Sequence, residues 1–139
     1  MTDCRRVLPM WGLVALACGG PGVTESAPSN LVGSYELTAV GTKRLPVALP
    51  LDGPPRVLLV ADTLWLRADS SYEEHMMREV IGPAPLVLSG RFSVTGATVI
   101  LTQTGGAPVT GRVRDSTLTV GEVSASALLY VKRCDGATC

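Results

Sequence analysis

The chain has one histidine, His75, and it stands among carboxylates: Glu73 and Glu74 precede it and Glu79 follows. An imidazole with carboxylates close by can ligate a divalent metal or act as a general base. In a helix, His75 and Glu79 would share a face; in a strand, Glu73, His75, Met77 and Glu79 would align. Neither arrangement supplies the convergent ligands of a zinc site, so a solvated polar face is expected and no metal is assigned. Serines are plentiful, but no Gly-x-Ser-x-Gly occurs and His75 would have to serve as the base for any of them. Asp62 and Asp69 bracket a strand and its turn, where Asp is expected to hydrogen-bond the backbone. Gly105-Gly106 lacks the following Lys of a phosphate-binding loop and reads as a turn. No catalytic residue, no cofactor and no enzymatic activity are expected.

Two cysteines close the chain in Cys134-Asp-Gly-Ala-Thr-Cys139. In an oxidising compartment they can pair across the Asp-Gly turn, a ring so small that it contributes only roughly 2 kcal/mol and mainly tethers the tail. A Cys134–Cys139 disulfide is the expectation; the spacing does not suit a Cys-x-x-Cys redox pair.

The first 18 residues read MTDCRRVLPMWGLVALAC. Arg5 and Arg6 form a positive start, and Val7 to Ala17 is an uncharged stretch that suits the apolar region of a signal peptide. It is too short to cross about 30 Å of hydrocarbon. Ala15-Leu16-Ala17-Cys18-Gly19 resembles the lipobox of bacterial lipoprotein precursors, with a small Ala17 for the peptidase and a Cys18 thiol to take the lipid. The alternative is an ordinary signal peptide cut near Ala17, with Cys18 an incidental thiol. On the lipobox reading, residues 1–17 are the signal peptide and 18–30 are a lipidated cysteine with a Gly-, Pro- and Ser-rich tether. A domain then covers 31–139. The expected location is the bacterial cell envelope, lipid-anchored in the inner or outer membrane and facing the periplasm or the surface.

Basic and acidic residues balance at 12 each. Removing the leader leaves a net charge near −1, because Asp3, Arg5 and Arg6 go with it. No basic face is implied, and the five remaining aromatics (Tyr35, Trp65, Tyr72, Phe92 and Tyr130) are too few for a base-stacking platform. No nucleic-acid partner is expected.

These side chains must be positioned by strands. From Leu31 on, β-branched and aliphatic residues fall in short runs separated by turn residues. Gly33 to Ala39 alternates apolar and polar. Further runs are Arg56 to Ala61, Thr63 to Arg67, Leu86 to Val94, Ala97 to Gln103, Val109 to Arg114, Thr117 to Val120 and Ala127 to Lys132. Thr95-Gly96, Gly105-Gly106 and Asp115-Ser116 suit hairpin turns. Around Ser71 to Val80 the local pattern, with a capping box at Ser71 and Glu74, prefers helix. The surrounding meander prefers strand, which is the expectation. As a strand, this segment puts Tyr72, Glu74, Met76, Arg78 and Val80 on one face of mixed polarity.

The order of these pieces is similar to that of lipocalin-like domains in bacterial envelope lipoproteins. The matching elements are Gly33-x-Tyr35-x-Leu37, Leu45-Pro46, Leu64-x-Leu66 before the Asp69 turn with Tyr72, Gly90-x-Phe92-x-Val94, Thr117-Leu118-Thr119-Val120 and Leu128-Leu129-Tyr130. The resemblance implies an all-β fold: a small antiparallel up-and-down β-barrel or half-barrel of seven or eight strands. It also implies an inner face able to hold a small apolar ligand such as a fatty acid. The residues expected on that face are Tyr35, Leu37, Leu64, Leu66, Phe92, Val94, Leu118 and Tyr130. Tyr35 stands where a lipocalin usually has Trp. The competing reading is a non-catalytic envelope interaction or structural module with a filled barrel. Its contacts with an envelope protein would fall in loops such as Leu45 to Pro55 or Tyr72 to Pro85.

Overall fold

The structure is a computed structural model that describes residues 28–49, 57–80, 83–121 and 126–134. The leader, Cys18, most of the tether and Cys139 lie outside the described residues. Among the described residues there is no helix. The strands are β1 (Gly33–Val40), β2 (Lys43–Arg44), β3 (Val47–Ala48), β4 (Leu58–Leu66), β5 (Ser71–Glu79), β6 (Pro83–Thr95), β7 (Thr98–Gln103), β8 (Pro108–Arg114), β9 (Thr117–Val120) and β10 (Leu128–Lys132).

From β4 to β10 each strand pairs antiparallel with the next in sequence. β1 pairs with β10 on one side and with β4 on the other, which closes an eight-stranded antiparallel barrel. The β1–β4 seam is short, running from Gly33↔Leu66 to Glu36↔Thr63. Beyond it the two strands part, and β2 pairs with β1 while β3 pairs with β4.

Closure follows from alternation. In β1, Tyr35 and Leu37 are buried while Glu36 and Thr38 are exposed; in β7, Val99 and Leu101 are buried and Ile100 is exposed. A barrel of eight strands is just wide enough for side chains to fill it. Tyr35, Tyr130, Leu59, Leu64, Leu66, Leu118 and Val99 fill the centre. One end is plugged by the chain that precedes β1. Leu31 is buried, the Tyr35 hydroxyl donates to the Leu31 carbonyl at 2.9 Å, and Lys132 Nζ donates to the Asn30 carbonyl at 2.7 Å.

The structure departs from the sequence expectation in three places. The runs 56–61 and 63–67 are one strand, β4, with a register shift between Leu59 and Ala61. The extra residue resets the alternation. Leu59 faces inward before it, and Asp62, Leu64 and Leu66 face inward after it. Asp62 therefore does not begin a strand beside a turn; it is a buried mid-strand residue. Asp69 does act on the backbone as expected, accepting from the Ser71 amide at 3.0 Å and the Ser71 hydroxyl at 2.6 Å.

Third, the segment Tyr72 to Pro85, a loop only on the module reading, is strand over 72–79, as the meander predicts, and over 83–85, in a long β5–β6 ribbon paired from Ser71↔Arg91 to Glu79↔Pro83. β7 stops opposite Gly90, so Pro83 to Leu88 have a described strand on the β5 side alone, an open edge about 20 Å long. The Phe92 amide donates toward β5, to the Ser70 carbonyl, and the Ser89 carbonyl accepts from Thr104 on the β7 side. Backbone groups alternate along a strand, so those of Pro83 and Pro85 face the open edge. A missing N–H there costs no ladder bond and denies a donor to an incoming strand. We expect the double variant Pro83→Thr/Pro85→Thr to self-associate at concentrations where the parent is monodisperse by light scattering. Equal monodispersity would show that the prolines do not guard this edge.

Candidate functional site

Strand parity splits the carboxylates around His75 between the two sides of the wall. Glu73 and His75 face outward, where the His75 ring and the Glu73 carboxylate are in contact. Arg67 pairs with Glu73 at 2.9 Å, and Trp65 meets the His75 ring edge-on at 4.6 Å. The hydrogen bond from His75 holds the exposed Glu73 carboxyl below its ordinary range, with Arg67 assisting. Glu74 points into the barrel, so it does not join His75 in any ligand set.

Inside, Glu74 lies beside Leu64 of β4, and Asp62 lies beside Met76 of β5. Tyr130 rises from β10, which β1 separates from β4, and its hydroxyl crosses the interior to both acids. Tyr130 Oη is 2.6 Å from Asp62 Oδ2 and 3.0 Å from Glu74 Oε1. A phenol carries one proton and can donate to only one of them. For both contacts to be hydrogen bonds, one carboxyl must hold a proton of its own. Asp62 is 3% exposed, and burial pushes its pKa to about 8 against the lowering effect of the Tyr130 hydrogen bond, with the Glu74 charge adding to the rise. One buried proton is therefore held among Asp62, Tyr130 and Glu74 at neutral pH, and burial together with the Glu74 charge favours its place on Asp62. Asp62 Oδ1 is buried without a hydrogen-bond partner, a smaller penalty for a neutral acid than for a carboxylate. Burial and the two neighbouring acids push the Tyr130 phenol far above its ordinary range, so it stays protonated.

Glu74 and Tyr130 stand on the wall of a cavity of about 150 Å³ toward the end of the barrel opposite the Leu31 plug. Leu64, Leu101, Val120 and Leu128 supply its apolar sides, and Gln103 adds an amide. Ala107 and Val109 lie toward its mouth, where Val109 is 44% exposed. At the plugged end a more open groove of about 450 Å³ runs past Leu31, Val94, Ala97, Val113 and Asp115.

Of the eight residues expected on the inner face, Leu64 and Tyr130 line the cavity. Tyr35, Leu37, Leu66, Phe92 and Leu118 are buried in the core, and Val94 packs against that core while lining the groove. Tyr35 is also committed to the plug. The sequence reading missed Glu74, Tyr72, Leu101, Gln103, Ala107, Val109, Val120 and Leu128 as lining residues. The available signal was the shared face of Tyr72 and Glu74. Cys134 is disulfide-bonded, and its expected partner Cys139 lies outside the described residues.

No family model and no curated protein matches the chain. Among solved structures it is similar to the crystal structure of a lipoprotein YedD from Klebsiella pneumoniae subsp. pneumoniae, at 12% identity over 84% of each chain and a TM-score of 0.46.

Proposed function

We propose that this protein is a lipid-anchored barrel of the bacterial cell envelope that binds a small, mostly apolar molecule in the cavity beside Glu74 and Tyr130. The cavity carries the reading: a hydrophobic recess with a few convergent polar groups and a perturbed acid behind it is the usual form of a binding site. Its volume restricts the occupant. Ligand pockets commonly hold about 300–1,000 Å³, whereas an apolar cavity of about 150 Å³ takes a molecule the size of benzene. A fatty acid, the ligand class suggested by the lipocalin-like order, is too large for it. The anchor rests on the lipobox resemblance around Cys18.

The same small volume favours a second reading, an envelope module whose barrel is a filled scaffold. One experiment separates the two. The full chain is purified from its bacterial membrane, its N-terminal peptide is weighed, and an organic extract is compared by mass spectrometry with that of a denatured control. A lipid-modified Cys18 and a stoichiometric compound of benzene-like size are expected. An unmodified Cys18 would remove the anchor. An empty extract, with no uptake of added small aromatics, would leave the scaffold.

A further inference from the structure

We infer that the cavity selects a small primary amine: a compact apolar body that carries an ammonium group to Glu74. The inference rests on the binding reading above and adds the chemical class of the ligand. Three observations carry it. The cavity sides are hydrocarbon, so they accept an apolar body. Glu74 and Tyr130 offer oxygen acceptors, with the Tyr130 proton engaged by the acids, and the exposed Gln103 amide can turn its oxygen or its NH2 to a ligand. An ammonium brings three donors and no acceptor, which matches such a set. Finally, no cation of the described residues forms an ion pair with Glu74, although Arg67 and Arg133 are paired with Glu73 and Glu36. Arg78 shares the inner face of β5 with Glu74 but lies further along the strand and does not line the cavity. A carboxylate left without a positive partner at the edge of an apolar recess favours a ligand that brings one. An anionic ligand of the same shape meets repulsion there, and a neutral one leaves the carboxylate unpaired.

The test uses the full chain in nanodiscs of zwitterionic lipid, with empty discs as the blank, and follows binding by equilibrium dialysis. The probes are benzylamine, benzyl alcohol and phenylacetate. Benzylamine is expected to bind at least tenfold more tightly than benzyl alcohol, with phenylacetate the weakest. Glu74→Gln is expected to bring benzylamine down to the level of benzyl alcohol. Val109→Trp, which fills the mouth from an exposed wall position, is expected to abolish binding of both. Equal affinity for the amine and the alcohol in the parent overturns the amine selection and leaves the binding reading standing, whatever the fate of the Gln variant. Unchanged amine binding in a folded Glu74→Gln protein does the same. Retention of binding by Val109→Trp removes the cavity as the site, and absence of binding by all three probes overturns both readings.

Discussion

Asp62→Asn is expected to unfold at nearly the same urea concentration as the parent at pH 4 and to be more stable by on the order of 5 kcal/mol at pH 9. The sign follows from the proton balance. The folded carboxyl titrates at about 8 and the unfolded one near 3.8. Between those values the unfolded chain gives up its proton while the folded chain keeps it, so stability falls as pH rises. The loss is complete once the pH exceeds 8. A full shift of this size corresponds to about 5 kcal/mol. Asparagine has the shape of the neutral acid and can donate to Tyr130 through its amide, but it has no proton to lose. Urea melts of both proteins at pH 4, 6, 7.5 and 9 give the comparison. A parent whose stability is level from pH 5 to 8 would show that Asp62 is ionised in the folded state and holds no proton in the cluster with Tyr130 and Glu74. The lowered carboxyls of Asp69 and Glu73 act with the opposite sign and at lower pH, so they do not mimic the effect.

Gly90→Ala is the second substitution with a large effect, a loss of about 3 kcal/mol or more. A Cβ at Gly90 would sit 2.2 Å from the Thr102 carbonyl oxygen, 2.7 Å from Tyr72 Cε1 and 2.9 Å from Gln103 Cα. The first and third are backbone atoms of the β7 region, so relief means pushing β7 away from β6. Tyr72, opposite Gly90 in the β5–β6 ladder, lies across the space that glycine leaves. The entropy gained by replacing Gly with Ala, about 0.4–1 kcal/mol, is far smaller than this clash. Gly96→Ala provides the contrast: nothing lies within 4 Å of its Cβ, and φ of 60° is the whole obstacle. It should cost about 1–2 kcal/mol. Thermal and urea melts that rank Gly96→Ala as the worse of the two would contradict the close β6–β7 approach.

The strands whose two faces differ most were the most legible. Tyr35 and Leu37 against Glu36 and Thr38 read as half-buried from alternation. So did β5, once its neighbours outweighed a helical pattern that local spacing favoured. The Asp62 position was not legible because a bulge is a two-strand property: Val60, the extra residue that resets the parity, is defined by its partner strand, and a lone Asp among aliphatic residues resembles a break. Pro83 and Pro85 resembled a loop for a related reason. Proline is costly in a strand only when its nitrogen faces a ladder, and the side it faces depends on where β7 stops. β2 and β3 are too short for any periodicity. Tyr130 was expected inside, but its meeting with Asp62 and Glu74, 68 and 56 residues away, is set by barrel curvature.

The seam has a consequence for the order in which the molecule can assemble. Strands β4 to β10 form a run of sequence neighbours, each able to find its partner locally and quickly. β1 has only the two-residue β2 as a sequence neighbour; its partners in the barrel are β4, across the Pro-rich stretch, and β10, 91 residues on from Thr38 to Leu129. β1 can pair with β4 as soon as both are made, but the barrel closes only when β10 reaches the other edge of β1. A chain stopped before Leu128 loses the β1–β10 and β9–β10 ladders together. What remains is a curled sheet with both margins exposed, so completion of the C-terminus, more than any single core residue, governs when the barrel exists at all.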